Sequence, residues 1–153
     1  MEYSVKVFWN KLPEESFIDN KYSRLHRWTF DGEIELKASS SPQVVPIPMS
    51  DASAIDPEEA FITSISSCHM LWFLSLAASQ KYIVELYSDE AEGIMNLNLQ
   101  GEMAMTIVTL KPKIKFSGNN IPNFEEINDL HDKAHKKCFI ANSVKTEIKI
   151  IQS

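Results

Sequence analysis

Cysteine and glycine are scarce in this chain, with two and four copies in 153 residues. So few cysteines exclude the disulfide-dense scaffold of a small secreted domain, which carries more of them in a shorter chain. The glycines form no Rossmann-type phosphate-binding pattern, so a dinucleotide fold is excluded as well. Basic charge is thin: 15 Lys and Arg stand against 21 Asp and Glu, for a net charge of −6. Nucleic-acid binding needs clustered cations to neutralise phosphates, and none are clustered here. The only arginines are Arg24 and Arg27. The opening Met-Glu-Tyr-Ser-Val-Lys lacks the basic and then apolar regions of a secretory leader, so a reducing cytoplasm is the expected address.

A hydrophobic content of 44% over this length supports one well-buried core, and a single domain over 1–153 is expected. Val5, Val7 and Trp9 alternate with Lys6 and Phe8, and extended runs at His26–Phe30 and Glu33–Ala38 flank Asp31-Gly32, a hairpin signal. Residues 39–56, rich in serine and proline, read as a long surface loop of the kind that lines sites. Asp56, Pro57 and Glu59 then form a helix start with a capping box, and the helix runs to about Gln80. Its stretch 60–80 is uncharged and long enough to span a bilayer, but Thr63, Ser64, Ser66, Ser67 and His69 make it too polar for lipid. It reads instead as a helix buried on nearly all sides within protein, with no membrane partner.

Ile83–Asn98 and Gly101–Phe116 read as two long strands, with Lys111, Lys113 and Lys115 on the solvent face of the second. A helix over Asn123–Lys137 has acids early and bases late, matching its dipole. A short helix over Phe139–Val144 and a final alternating strand close the chain. The order of elements defines an α+β fold.

The two cysteines sit in different settings. Cys68 lies in the uncharged helix with Phe61, Ile65, Leu71 and Trp72 at helical spacing, where a cysteine ordinarily behaves as a small buried hydrophobe. Cys138 lies at a helix junction within His-Lys-Lys-Cys-Phe-Ile-Ala-Asn-Ser-Val-Lys. Glu58 precedes Cys68 by ten residues, about 15 Å along the axis, and cannot touch it within one helix. Across a two-fold axis, antiparallel packing of two such helices brings Glu58 of one chain toward Cys68 of the other, and an uncharged seam is what that packing requires.

Asp-Pro-Glu-Glu followed by eight residues and Cys, then a second Cys before Ala-Asn-Ser-Val-Lys and a terminal strand, resembles the OsmC/Ohr family of peroxide-reducing proteins. The resemblance covers roughly 30–153. It implies an OsmC-like α+β fold, an intertwined homodimer with a long central buried helix packed against antiparallel sheets. It also implies a peroxiredoxin-like organic hydroperoxide reductase serving the oxidative stress response, with no metal or organic cofactor. Residue by residue, Cys68 matches the peroxidatic cysteine, Cys138 the resolving one, and Glu58 the acid that positions a catalytic arginine. The substrate implied is a small organic hydroperoxide and the reductant a lipoyl-type dithiol or small thiol. In the family that arginine comes from the loop before the Glu-bearing helix, and residues 38–57 contain none. Tyr-Ser-Arg-x-His-x-Trp before Phe-Asp-Gly, with Ser-Cys-His-Met-Leu-Trp-Phe later, looks like a divergent OsmC-like branch. Of the two arginines, Arg24 is the expected cation, because it shares the inward face marked by Trp28 and Phe30.

Other chemistries stay open on the residues. A ligand-binding dimer with structural cysteines would use Trp28, Phe61, Met70, Trp72 and Phe73 as an apolar lining. His131, His135 and Cys138 at i, i+4, i+7 could offer zinc ligands, with Cys68 or His69 as a fourth, although the interleaved lysines favour a solvated face. A Cys-His-Asn hydrolase using Cys68 and Asn142 is possible in residue types alone.

Overall fold

The computed structural model describes residues 1–152. They divide into two compact units, the first Met1–Ala60 and the second from Phe61 onward. In the first unit, β1 (Val5–Phe8), β2 (His26–Phe30) and β3 (Glu35–Ala38) form an antiparallel sheet in that order. The hairpin signal at Asp31-Gly32 is realised with a shift: the left-handed residue is Glu33 (φ 60°), and Glu33 N donates to Phe30 O while Phe30 N donates to Ile34 O. A three-residue hairpin loop places its left-handed residue last, one position beyond the glycine.

The loop 39–56 is less superficial than its composition implies. Ser39, Ser41 and Ser50 are buried, and Ser39 Oγ accepts from Asp51 N at 3.0 Å. Ile55 bridges Ala38 in parallel, so the loop returns along the edge of β3. The Ile47-Pro48 peptide is cis. At the loop's end the expected capping box forms: Glu59 N donates to Asp56 Oδ1 at 2.8 Å, and Asp56 N donates to Glu59 Oε2 at 3.2 Å. It starts α1 (Pro57–Ser79), within whose first turn the division between the units falls.

In the second unit the two expected long strands are each broken near the middle. The first becomes β4 (Ile83–Asp89) and β5 (Glu92–Leu97), the second β6 (Met103–Leu110) and β7 (Pro112–Ser117). β4 pairs with β7, while β5 and β6 form a hairpin. The break falls opposite Pro112, which has no N–H to donate, and Asp89 bridges it by accepting from Lys111 N at 2.6 Å. The lysine face is as expected, with Lys113 and Lys115 exposed beside buried or half-buried Pro112, Ile114 and Phe116. α2 (Phe124–Lys137) opens on a capping box of Asn123 and Glu126. A single 3₁₀ turn, Ala141–Ser143, replaces the short helix expected over Phe139–Val144. The crossover through α2 then lays β8 (Glu147–Ile150) parallel to β6, the one parallel pair of strands among the described residues.

The length and hydropathy of α1 alone would suffice for a membrane span. Its buried residues, however, are a single stripe, Ile65, His69, Phe73 and Ala77, four apart and committed to the protein core. Phe73 and Ala77 pack with Tyr82, Leu130 and Ala134, while Ile65 packs with Val108 and Leu110. The expectation of burial on nearly all sides is therefore not met within one chain. Thr63, Ser67, Leu71 and Ser75 lie on an open, uncharged face, with Leu71 61% exposed.

Gly93 in β5 marks where α1 comes closest to the sheet. A Cβ there would stand 2.5 Å from Met105 Sδ and 2.6 Å from Ile62 Cδ1, whereas one on Gly32 would meet nothing within 4 Å. Gly93→Ala is expected to lower stability by about 1–3 kcal/mol in urea unfolding, and Gly32→Ala to leave the midpoint nearly unchanged.

Candidate active site

The second unit brings the cysteines together. Cys68 lies on the half-buried flank of α1 and Cys138 is the buried C-cap residue of α2; both are free thiols. They are close enough for their thiols to hydrogen-bond. Burial first, and the contact with Cys68 second, push the Cys138 thiol up to about 11. Ala141 N donates to Cys138 Sγ at 3.3 Å, and Cys138 N donates to Ala134 O at 2.9 Å. The resolving candidate is thus held protonated and shielded beside a thiol that is more open to solvent. Trp72 and Phe139 meet edge to face at 5.6 Å next to the pair, and the Lys137 ammonium sits over the Trp72 ring.

Beside Cys68 on α1, and two turns before Cys138 on α2, stand two histidines that form a pair the sequence reading placed elsewhere. His131 is not on a solvated face. It is 2% exposed, and its Nδ1 stands 2.9 Å from Nε2 of His69, which is 1% exposed. The rings are nearly parallel, and Phe73 closes over His131 at 4.5 Å. His69 Nδ1 and His131 Nε2 have no partner. Desolvation pulls both imidazoles well below their ordinary value, His69 to about 3 and His131 to about 4. The available signal was spacing: His131 continues the buried face of Leu130, Ala134 and Cys138, which a count of neighbouring lysines obscures.

The first unit holds Arg24 and Glu58 on one cavity of about 500 Å³, walled by Trp9, Phe17 and Tyr22. Arg24 is fixed before any ligand arrives. Its Nη1 donates to Asn20 O at 2.9 Å and to Tyr22 O, its Nη2 donates to Asn20 Oδ1 at 2.7 Å, and the guanidinium lies 3.8 Å from the Tyr22 ring centre. Asn20 reaches this position at φ 62°, which asparagine tolerates. Arg24 N donates to Met49 O at 2.7 Å, and His26, whose Nε2 accepts from Trp28, donates through Nδ1 to Arg24 O. Glu58 Oε2 is buried without a partner, so the two groups share the cavity with no ion pair between them. Arg27 turns away, 55% exposed and paired with Glu35 at 3.6 Å.

The remaining candidates do not assemble. No three His, Cys, Asp or Glu side chains among the described residues are placed to hold a metal. Asn142 donates to Lys136 O at the end of α2 and orients no histidine. Of the residues expected to line an apolar ligand site, Phe73 is core, while Phe61 and Met70 line different cavities of the second unit.

Residues 50–153 match the family described as OsmC-like protein. The chain belongs to the OsmC-like family. An OsmC-like protein of unknown function from Vibrio cholerae is 48% identical, with a TM-score of 0.98 over 100% of this chain and 99% of that one. An organic hydroperoxide resistance protein OsmC from Legionella pneumophila is 17% identical (TM-score 0.73, 100% and 97% covered). The organic hydroperoxide resistance protein OhrB of Bacillus subtilis is 15% identical (TM-score 0.67, 100% and 98% covered). No curated protein matches the sequence significantly. The OsmC-like α+β fold is thus established.

The histidine pair makes stability depend on pH. Both imidazoles have folded values below the ordinary 6.5, so between 6.5 and about 4 the unfolded chain binds protons that the folded one refuses. The stability of the fold is therefore insensitive to these groups above pH 6.5 and falls as the pH drops below it, by roughly 1 kcal/mol per pH unit for each imidazole. Urea unfolding between pH 7.5 and 5 is expected to show this slope, and His69→Gln/His131→Asn, which does not titrate there, to flatten it.

Proposed function

We propose that this OsmC-like protein is a thiol-dependent peroxidase that reduces organic hydroperoxides through Cys68 and Cys138. The observation that carries the reading is the meeting of two free thiols of unequal exposure at the seam of α1 and α2. The Cys68 thiolate attacks the distal peroxide oxygen, and the O–O bond breaks. The alcohol leaves with a proton, and Cys68 becomes a sulfenic acid. Cys138 then condenses with it, releasing water and forming the Cys68–Cys138 disulfide. A dithiol of lipoyl type, or a small thiol, reduces that bond and restores both thiols.

The raised value of Cys138 fits a group that waits protonated until the sulfenic acid lies beside it. Arg24 is the cation assigned to the Cys68 thiolate, with Glu58 orienting it from the partner chain of a homodimer. Within one chain Arg24 and Glu58 already share a cavity in which a Glu58 oxygen is unpaired, which supports the pairing of this acid with this arginine but draws both from the same chain. The open uncharged face of α1 supports the dimer. The cytoplasm is the proposed compartment, where reduced thiols persist. The organic hydroperoxide resistance titles of the structurally similar Legionella and Bacillus proteins agree with the reading.

Intact-mass spectrometry of the reduced protein after one equivalent of cumene hydroperoxide tests it. Loss of two hydrogens, with peptide mapping that joins Cys68 to Cys138, is expected; unchanged free thiols would defeat the proposal. Cys68→Ser is expected to abolish turnover, and Cys138→Ser to allow a single stoichiometric reduction before the disulfide route stalls.

Arg24→Ala is expected to lower kcat/KM by on the order of 10²-fold and to raise the pH at which Cys68 is alkylated. An unchanged alkylation profile would remove Arg24 from the mechanism.

A further inference from the structure

The His69–His131 contact is a poor source of stability. Of its four ring nitrogens, one donates and one accepts in the shared bond. In either tautomer the outer two are then one bare N–H and one bare lone pair, and both are buried without partners. A lone hydrogen bond returns only a modest net gain, while each orphaned polar group costs as much or more. Two leucines of similar volume would fill the same space without that cost. What leucines would not supply is direction.

Direction matters because of what lies beside the pair. Apart from the thiol contact itself, it is the one buried side-chain hydrogen bond joining α1 to α2 among the described residues. The rest of that seam is apolar: Phe73, Ala77, Leu130 and Ala134. Apolar contact is nearly indifferent to small slides of one helix along another. A disulfide is not, since it requires Cβ atoms about 3.5–4.5 Å apart and a defined torsion. His69 follows Cys68 in α1, and His131 stands two turns before Cys138 on the same face of α2. A lock at this point fixes the axial register that the thiols need.

We propose that His69 and His131 are positioning residues for the thiol pair, setting the helix register and thereby the effective concentration of Cys138 at Cys68. The inference rests on the juxtaposition of the two thiols and does not require the peroxidase reading, so a protein inert toward peroxide would still display it.

The test is equilibration with glutathione redox buffers at pH 7, where both imidazoles are neutral. The two thiols pass two electrons and two protons to oxidised glutathione, giving the intramolecular disulfide and two reduced glutathione molecules. The disulfide fraction is read by mass after acid quenching, with the urea midpoint measured on each reduced variant.

His69→Leu/His131→Leu is expected to match or exceed the wild-type midpoint, yet to lose at least tenfold in effective concentration, a shift of about 30 mV for a two-electron couple. His69→Gln/His131→Asn places amides at the two bonded nitrogen positions, and is expected to remain within threefold of wild type. A leucine pair that is stably folded with wild-type effective concentration would overturn the proposal. So would an amide pair that folds as stably as wild type but falls tenfold, and this second arm decides the matter even if the leucine pair fails to fold.

Discussion

The chemistry of the second unit depends on the burial of one stripe of α1. Residues 65, 69, 73 and 77 are the only positions of that helix fully withdrawn from solvent, and each faces something different. Ile65 meets the sheet through Val108 and Leu110, His69 meets His131, and Phe73 and Ala77 meet the helical layer. The stripe fixes the helix about its own axis. Once it is fixed, Cys68, one residue before His69, points along the flank where α2 ends. The thiol's half-exposure follows from its being beside the buried row and not in it.

Asymmetry between the two sulfurs follows from the same geometry. Cys138 closes α2, so the backbone around it is committed to the helix end and its side chain is enclosed. Enclosure penalises the thiolate more than the thiol, which holds the proton on Cys138. The first unit shows a comparable economy with a cation. Arg24 is anchored through backbone carbonyls, an amide oxygen and an aromatic ring, all neutral, so its charge is not cancelled where it is held. Neutral anchoring leaves the charge available for whatever enters the cavity shared with Glu58.

Much of this was legible in the residues. Asp56, Pro57 and Glu59 announced the start of α1, and the charge order of α2 announced its direction, because caps and dipoles are local effects written in a few side chains. The two cysteines were recognisable from motif spacing. What was not legible depended on partners distant in the chain. Alternation from Val108 through Lys111 to Phe116 masked the breaks that the polar run Ser88-Asp89-Glu90 and Pro112 make in the two long strands. His131 looked solvated because its sequence neighbours are lysines, whereas its fate was decided by His69, sixty-two residues away. Glu33, one residue past the expected glycine, adopts the left-handed conformation because loop length outweighs residue preference.

Closing α2 with a cysteine ties a backbone group of the following turn to the thiol pair. The amide of Ala141 is satisfied by Cys138 Sγ, so a backbone group outside the reacting pair is bonded to one of its atoms. A sulfur drawn into a bond with Cys68 reorients its lone pairs and becomes a weaker acceptor, which leaves that amide to seek water. Formation of the proposed disulfide would thereby be felt as a change in solvent shielding at the turn that leads to β8. The Ala141 amide proton is the backbone group placed to register that bond.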